Sequence, residues 1–515
     1  MRYLISLDIG TQGTKAALFD QDMNMAATSF EASRLISPEP GVVWQEPLEI
    51  FGSVVHTLKA LMEQTGIRPG DVAGIGLDGQ MAGVMGIDES GEACTPYDSW
   101  LDTRCAKHMD LMNNKAGRRI IELSGGPATF VHGPKILWLQ NQHPGMYEKV
   151  AKFVVPHAYV VGKMCGLGAE KAYVDHTELH FSCLSDIKNR QWSRELLERF
   201  AIAPEKMPTI LSPFDVVGGV TEEFAALTGL QSGTPVVAGC GDTAASTFGS
   251  GLFEKGMLLD CAGTASVLAA VTDRFAPDVS HGTLINMRSP AEDLFVPLAY
   301  INGGGLCIRW LRDALTGDPA MTYDRLQEGA MDIPPGSEGL VFIPHFSGRV
   351  LPCEPGLKGA LLGLDFKHTV FHMYRAVMEA IACEYHHYLS VLKALYPGES
   401  FRRMMSVGGG AKSDLFNQIK ADVLGVAVET FAMGETALIG SAVIAGVGTG
   451  LLADYAAPVH RARRRGKVFQ PDPAAHALYG PLAARYLSAL EHVKQYHLEC
   501  SAHLTMPDSS AEGGI

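Results

Sequence analysis

The sequence predicts an α/β protein of two related lobes, and three observations carry that prediction. Residues 1–30 read as three short β-runs, "YLISLDIG", "TKAALFD" and "MAATSFEA", joined by tight turns and alternating in apolar positions: a β-meander. Next comes "PLEIFGSVVHTLKALMEQTG", where Ile50, Val54, Leu58 and Leu61 recur at helical spacing, followed by the β-run "VAGIGLDGQMAGVMGI". Strands alternating with helices specify covered sheets. The third observation is a repeat, because "MLLDCAGTASVLAAV" (257–271) sets Asp260, Gly263 and Thr264 in the order of Asp8, Gly10 and Thr11. The two copies begin the two halves of the chain, so two lobes would turn two Gly-Thr loops toward a ligand held between them.

Composition narrows the function classes. A chain of 515 residues has room for about two to four domains. Its 56 acids against 42 bases give a net charge of -14, which argues against a nucleic-acid or anionic-membrane partner. The start "MRYLISLDIG" has no apolar stretch of signal-peptide length and no run is long enough to cross a bilayer, so the cytoplasm is the expected compartment. Ten cysteines are scattered singly, without zinc-type pairs or the density of a disulfide scaffold. "CEYHHY" (383–388) lacks the spacing that places two imidazoles on one helical face around a glutamate. The basic stretch "PVHRARRRGKVFQPDP" (458–473) reads as a solvated connector.

Individual residues sharpen this. A buried strand gains most from apolar side chains, so Asp8, at the tip of "LISLDIG", should sit at an opening where a partner offsets its dehydration. Asp242 is the second such acid, in "GCGDTAAS" near the expected lobe boundary, where an N-cap role for a helix beginning near Thr243 is also open to it. "GTQGTK" and "AGTAS" can bring backbone N–H groups and hydroxyls around phosphate oxygens. No G-x-x-x-x-G-K-[ST] loop occurs, and "VGGGAKS" fails the dinucleotide fingerprint because Ser413 stands at the final glycine position. "RRMMSVGGGAKSDLFNQIKADVLG" reads as strand, glycine turn and a helix starting near Ser413.

Six segments in order, "LDIGTQGTK", "GLDGQMAG", "SWLDTRC", "GCGDTAAS", "CAGTAS" and "VGGGAKSDLFNQIKADVLG", resemble the FGGY carbohydrate kinases, most closely the xylulose kinases, over residues 3 to 490. The resemblance implies two ribonuclease H-like lobes of the actin and hexokinase type, with ATP and a sugar in an interdomain cleft. The N-terminal, sugar-binding lobe would span 1–248, the C-terminal, nucleotide-binding lobe 249–490, and a tail 491–515. It implies ATP-dependent phosphorylation of a sugar hydroxyl, with D-xylulose to D-xylulose 5-phosphate as the leading reaction, and a homodimer, as in many relatives. Asp242 would orient the acceptor hydroxyl and take its proton. Asp8 and Asp242 would face Mg²⁺, which keeps part of its water shell. Thr11, Gln12 and Lys15 would face the phosphates, Gly263 and Thr264 the second phosphate loop, Gly305 the nucleotide cleft, and Gly409, Gly410, Ser413 and Asn417 the adenosine. Gln80, Met81, Trp100, Asp102 and Arg104 would line the sugar pocket with Asp242, the indole serving as an apolar wall.

This chain departs from the xylulose kinase pattern at Ala82, where a histidine is usual, at Leu101 and Thr243, where asparagines are usual, and at Val350–Leu351. These changes bear on the acceptor more than on the reaction, leaving another ketose, a polyol or a sugar acid as alternatives. A non-catalytic ATP-dependent switch of the actin fold is the rival from another class, against which Asp242, Trp100 and Arg104 speak.

Overall fold

The computed structural model of the chain describes residues 1–432 and 435–504. Its packing divides the chain into two compact units. The first contains residues 1–255, 271–297 and 433–464, and the second contains 256–270, 298–432 and the chain from 465. Residues 271–297 and 433–464 lie beyond the boundary expected near 248, yet pack with the first unit.

The first unit is built on the expected meander. Strands β1 (Tyr3–Ile9), β2 (Gly13–Asp20) and β3 (Met25–Ala32) pair antiparallel in sequence. Helix α1 (Pro47–Thr65) buries Ile50, Val54, Leu58 and Leu61, the stripe its spacing predicts. The long β-run expected after it is broken: β4 (Val72–Gly79) ends where residues 80–84 leave the sheet, and Ala82 takes a left-handed φ of 68°. Strand β4 is buried throughout and runs parallel to β1, with Asp8 opposite Asp78. Strands β5 (Val216–Gly219), β6 (Pro235–Val237) and β7 (Cys240–Gly241) complete the sheet, in the order β5-β6-β4-β1-β2-β3, with β7 also paired to β4. Helix α2 starts at Asp242 and ends at Gly249. The helix Thr436–Gly448 lies against β1, β4 and α2. It comes close because glycines face it: a Cβ on Gly76 would collide with the Ser441 carbonyl, and one on Gly440 with that of Ala245.

The second unit forms the hairpin the repeat predicts, and a third strand, from 295, completes a meander like the first. Strands β8 (Met257–Ala262), β9 (Ser266–Ala270) and β10 (Phe295–Ile301) pair antiparallel, and β11 (Arg403–Val407) and β12 (Ala427–Ala432) extend the sheet in parallel from β8. Beyond β12 lies β13 (Arg464–Phe469), so the basic stretch read as a connector is instead the end of the helix Ala456–Ala462 followed by an edge strand. Helix α3 (Val370–Leu395) crosses the core, and α4 (Asp414–Leu424) begins as predicted, Ser413 Oγ accepting the Phe416 amide at 3.2 Å. A final helix runs Pro473–Leu504, and the rest of the expected tail, 505–515, lies outside the described residues.

Buried charges in this unit are structural. "CEYHHY" supplies Glu384, which accepts from Arg349 at 3.1 Å, His345 at 3.2 Å and Tyr486 at 2.7 Å. These partners hold its carboxyl below the usual range despite burial. Asp260, the counterpart of Asp8 in the repeat, takes Tyr385 Oη at 2.8 Å, Ser406 Oγ at 2.7 Å and Lys420 Nζ.

Candidate functional site: an acidic cluster and a glycine-walled cavity

In the first unit the parallel register of β1, β4 and β7 gathers acids at the strand ends. Asp8 pairs with Asp78, Asp78 with Cys240, and Asp242 follows two residues later at the first turn of α2. The N-cap is Gly241, so Asp242 does not cap the helix; its Oδ1 accepts the Thr243 amide at 2.5 Å and the Thr243 hydroxyl at 3.1 Å. Burial, and then the charge of Asp8, push Asp242 up to about 7, while the Thr243 hydrogen bonds oppose the rise. Burial raises Asp8 as well, against the pull of Asp78 and Lys15. Asp78 lies well above the ordinary value through burial first and the Asp8 charge second. Its Oδ2 accepts from Ser441 Oγ at 2.6 Å, and its Oδ1 has no donor.

Around these acids the predicted residues divide. Trp100 is 44% exposed, so it is no core residue, and its Nε1 donates to Thr11 Oγ1 at 2.9 Å. Thr11 donates to Gln80 Oε1 at 3.2 Å, and Gln80 donates to Gln45 Oε1 at 2.7 Å. Met81 packs on Gly241, where a Cβ would strike its side chain. One network therefore ties the Gly-Thr turn, the 80–81 segment and the indole, beside the residue that precedes Asp242. Lys15 is held by Glu435 at 2.9 Å, and Gln12 is exposed, its carbonyl accepting the Ser33 amide at 3.0 Å.

Asp102 and Arg104 are placed differently. Asp102 is fully buried and accepts from the Val43 amide at 2.8 Å and Arg104 Nε at 2.7 Å. The Arg104 guanidinium stacks 4.2 Å from the Trp138 ring and, with Asp98 and Lys135, lines a separate cavity of about 230 Å³. That cavity does not include Gln80, Met81 or Trp100.

In the second unit Gly263, Thr264, Gly305, Gly409, Gly410 and Ser413 converge on one cavity of about 970 Å³, with Tyr323, Tyr374 and Phe416 supplying aromatic wall. Glycine is required at 305, where a Cβ would collide with the Gly263 carbonyl. Asn417 does not line this space; it is buried and donates to the Ala411 carbonyl at 2.8 Å, bracing the glycine turn from behind.

Two participants were not anticipated from the sequence. Asp78 carries a legible signal, an acid within an otherwise apolar, fully buried strand. Lys135, 1% exposed, donates to Asp98 at 3.1 Å and to the Ser99 and Asp102 carbonyls at 2.8 and 2.9 Å, fixing the turn that presents Trp100. Nothing in its sequence neighbourhood marks it, since its partners lie more than thirty residues away.

Two similar sheets, one ending in an acid cluster and the other in a glycine-walled cavity, define a two-domain kinase of the actin and hexokinase fold class. Residues 3–249 match the N-terminal domain and residues 260–449 the C-terminal domain of the FGGY family of carbohydrate kinases, and the chain belongs to that family. It is 26% identical over 498 residues to a xylulose kinase of Bacillus subtilis, covering 96% of this chain and 98% of that one. It is also 26% identical over 470 residues to a gluconokinase of Bacillus licheniformis, covering 88% and 89%. The crystal structure of a xylulose kinase from Rhodospirillum rubrum superposes with a TM-score of 0.88 at 25% identity, covering 96% and 100%. The chain is thus a carbohydrate kinase, of a family that uses ATP. Among the described residues no helix is long and apolar enough to cross a membrane.

Proposed function

We propose that this kinase transfers the γ-phosphoryl group of ATP to a hydroxyl of a small neutral sugar, with D-xylulose, giving D-xylulose 5-phosphate, as the leading acceptor. The observation that carries the reading is Asp242: a carboxyl raised to about 7, at the first turn of a helix and beside Asp8. A sugar hydroxyl loses its proton only as the phosphoryl group arrives, so a base with a pKa near the working pH is well matched to orient it and accept that proton. Thr11, Gln80, Met81 and Trp100 position the acceptor, the indole offering an apolar wall and the amide a hydrogen-bonding edge. The glycine-walled cavity takes the nucleotide, with the Gly263–Thr264 and Gly409–Gly410 turns at the phosphates and the aromatic wall at the base.

The donor set also suits Mg²⁺: Asp8 and Asp78 present hard oxygens side by side, and Asp78 Oδ1 lacks any donor from the protein. Asp8, Asp78 and Asp242 would hold the ion, which neutralises phosphate charge when bound.

A gluconokinase relative matches at the same 26% identity as a xylulose kinase, over 88% of this chain against 96%, and Ala82 replaces a polar residue expected in the acceptor segment. Another ketose, a polyol or a sugar acid is therefore the second reading. The test is ADP release from Mg-ATP with pentuloses, hexuloses, polyols and sugar acids, run beside Asp242→Asn. One acceptor that drives turnover in the parent and not in the variant supports the reading; ATP binding with no acceptor-dependent turnover supports a switch.

A further inference from the structure

A fully buried carboxyl with no hydrogen bond to either oxygen is costly to a fold and calls for a missing partner. Glu178 is such a group: it is 0% exposed and both Oε1 and Oε2 lack a donor. It occupies the N-cap position of the short helix Leu179–Ser182, yet makes no cap hydrogen bond there. Its ionic neighbour is His132, whose Nε2 lies 3.8 Å from Glu178 Oε2 and also has no hydrogen-bond partner. Among the described residues no lysine or arginine nitrogen pairs with Glu178.

The place of this pair in the fold is specific. Thr177 Oγ1 accepts the Gly241 amide at 3.1 Å, so Glu178 and Asp242 are the residues that follow the two ends of one hydrogen bond. The charges of Asp175 and Asp242 reach Glu178 and add to the effect of burial. Met81, from the acceptor segment, packs on the same Gly241. Two orphaned polar groups thus face one another beside the proposed acceptor site, ringed by acids.

We infer that Glu178 and His132 form the distal end of the acceptor pocket, bind adjacent hydroxyl groups of a neutral polyhydroxy substrate, and exclude sugar acids. A hydroxyl both donates and accepts, so a diol can satisfy a carboxyl oxygen and an imidazole nitrogen together. A sugar carboxylate in the same place would give up its water shell beside the charge of Asp175, and among the described residues neither lysine nor arginine pairs with Glu178 to offset that cost.

This inference rests on the kinase reading, and its test separates the two. Glu178→Gln, Glu178→Met and His132→Ala are compared with the parent by calorimetric titration of D-xylulose and D-gluconate without nucleotide, and by ADP release with each. Glu178→Met removes an unsatisfied buried group, so its melting temperature without acceptor stays level or rises. Its KM for D-xylulose increases at least tenfold while kcat falls less than threefold, and its preference for D-xylulose over D-gluconate narrows at least tenfold. Glu178→Gln, which keeps one acceptor oxygen, gives an intermediate KM. Should Glu178→Met not fold, the other two variants decide. A folded variant at position 178 with D-xylulose affinity and selectivity within twofold of the parent overturns the inference, as does a parent enzyme that prefers D-gluconate. If no acceptor elicits ADP from the parent, the kinase reading fails, while the nucleotide-free titrations still judge Glu178.

Discussion

Asp242→Asn separates the chemistry of the acid cluster from its architecture. The fold raises Asp242 from the ordinary 3.8 to about 7, a difference of about three units at about 1.4 kcal/mol each, or about 4 kcal/mol. The side chain is partly exposed and interacts with Asp8, and these reduce the effect to about 2 to 3 kcal/mol. Below about pH 4 the folded and unfolded chains both hold the proton, and the full stability is present. Between about pH 4 and pH 7 the unfolded chain ionises first, so stability declines with rising pH and levels above about 7. Asparagine does not titrate. Relative to the parent, Asp242→Asn should therefore gain about 2 kcal/mol between pH 5 and pH 8. Turnover should fall by about 10²- to 10⁴-fold, because an amide cannot take the hydroxyl proton, with ATP affinity unchanged within about threefold. Thermal unfolding of both proteins at pH 5 and pH 8 without divalent cation, paired with ADP release at pH 8, measures both effects. An equal stability difference at the two pH values, or turnover within tenfold of the parent, would refute the picture of a half-buried, proton-holding base.

Other residues give further tests. Lys135→Met leaves Asp98 and two carbonyls without their ammonium donor, and should cost about 3 to 5 kcal/mol in urea unfolding while raising the acceptor KM through the Trp100 turn. Gly305→Ala forces a Cβ against the Gly263 carbonyl, so the KM for ATP should rise at least about tenfold with the acceptor KM unchanged; equal effects on both substrates would contradict the assignment of the cavity. Asp78→Asn keeps an oxygen for the Ser441 hydrogen bond but cannot ionise to hold a cation, and the Mn²⁺ dissociation constant, followed by electron paramagnetic resonance without nucleotide, should rise about tenfold. An unchanged constant would remove Asp78 from the cation site.

The sequence by itself determined the first meander, the hairpin that opens the second, the stripe on α1, the cap at Ser413 and the acids at strand ends, because periodicity, capping and the cost of dehydrating a carboxylate are local properties. It also determined the family, since several motifs in order leave little room for coincidence. The extent of the β-run after α1 was not legible, because Ala82 leaves the sheet through a left-handed conformation that its residue type does not announce. Nor was the contrast between Asp8 and Asp260, alike in motif. Ser406, Tyr385 and Lys420, all distant in sequence, turn Asp260 into a neutralised core group, whereas Asp8 faces another acid, Asp78. Tertiary structure alone decided that Arg104 turns to Trp138, that Lys135 fixes the Trp100 turn, and that Glu178 stands unpartnered beside the residues around Asp242. Each outcome depends on which side chains strand register and helix packing bring within about 3 to 4 Å, and a pairing between residues far apart in the chain leaves no trace in the local pattern of either.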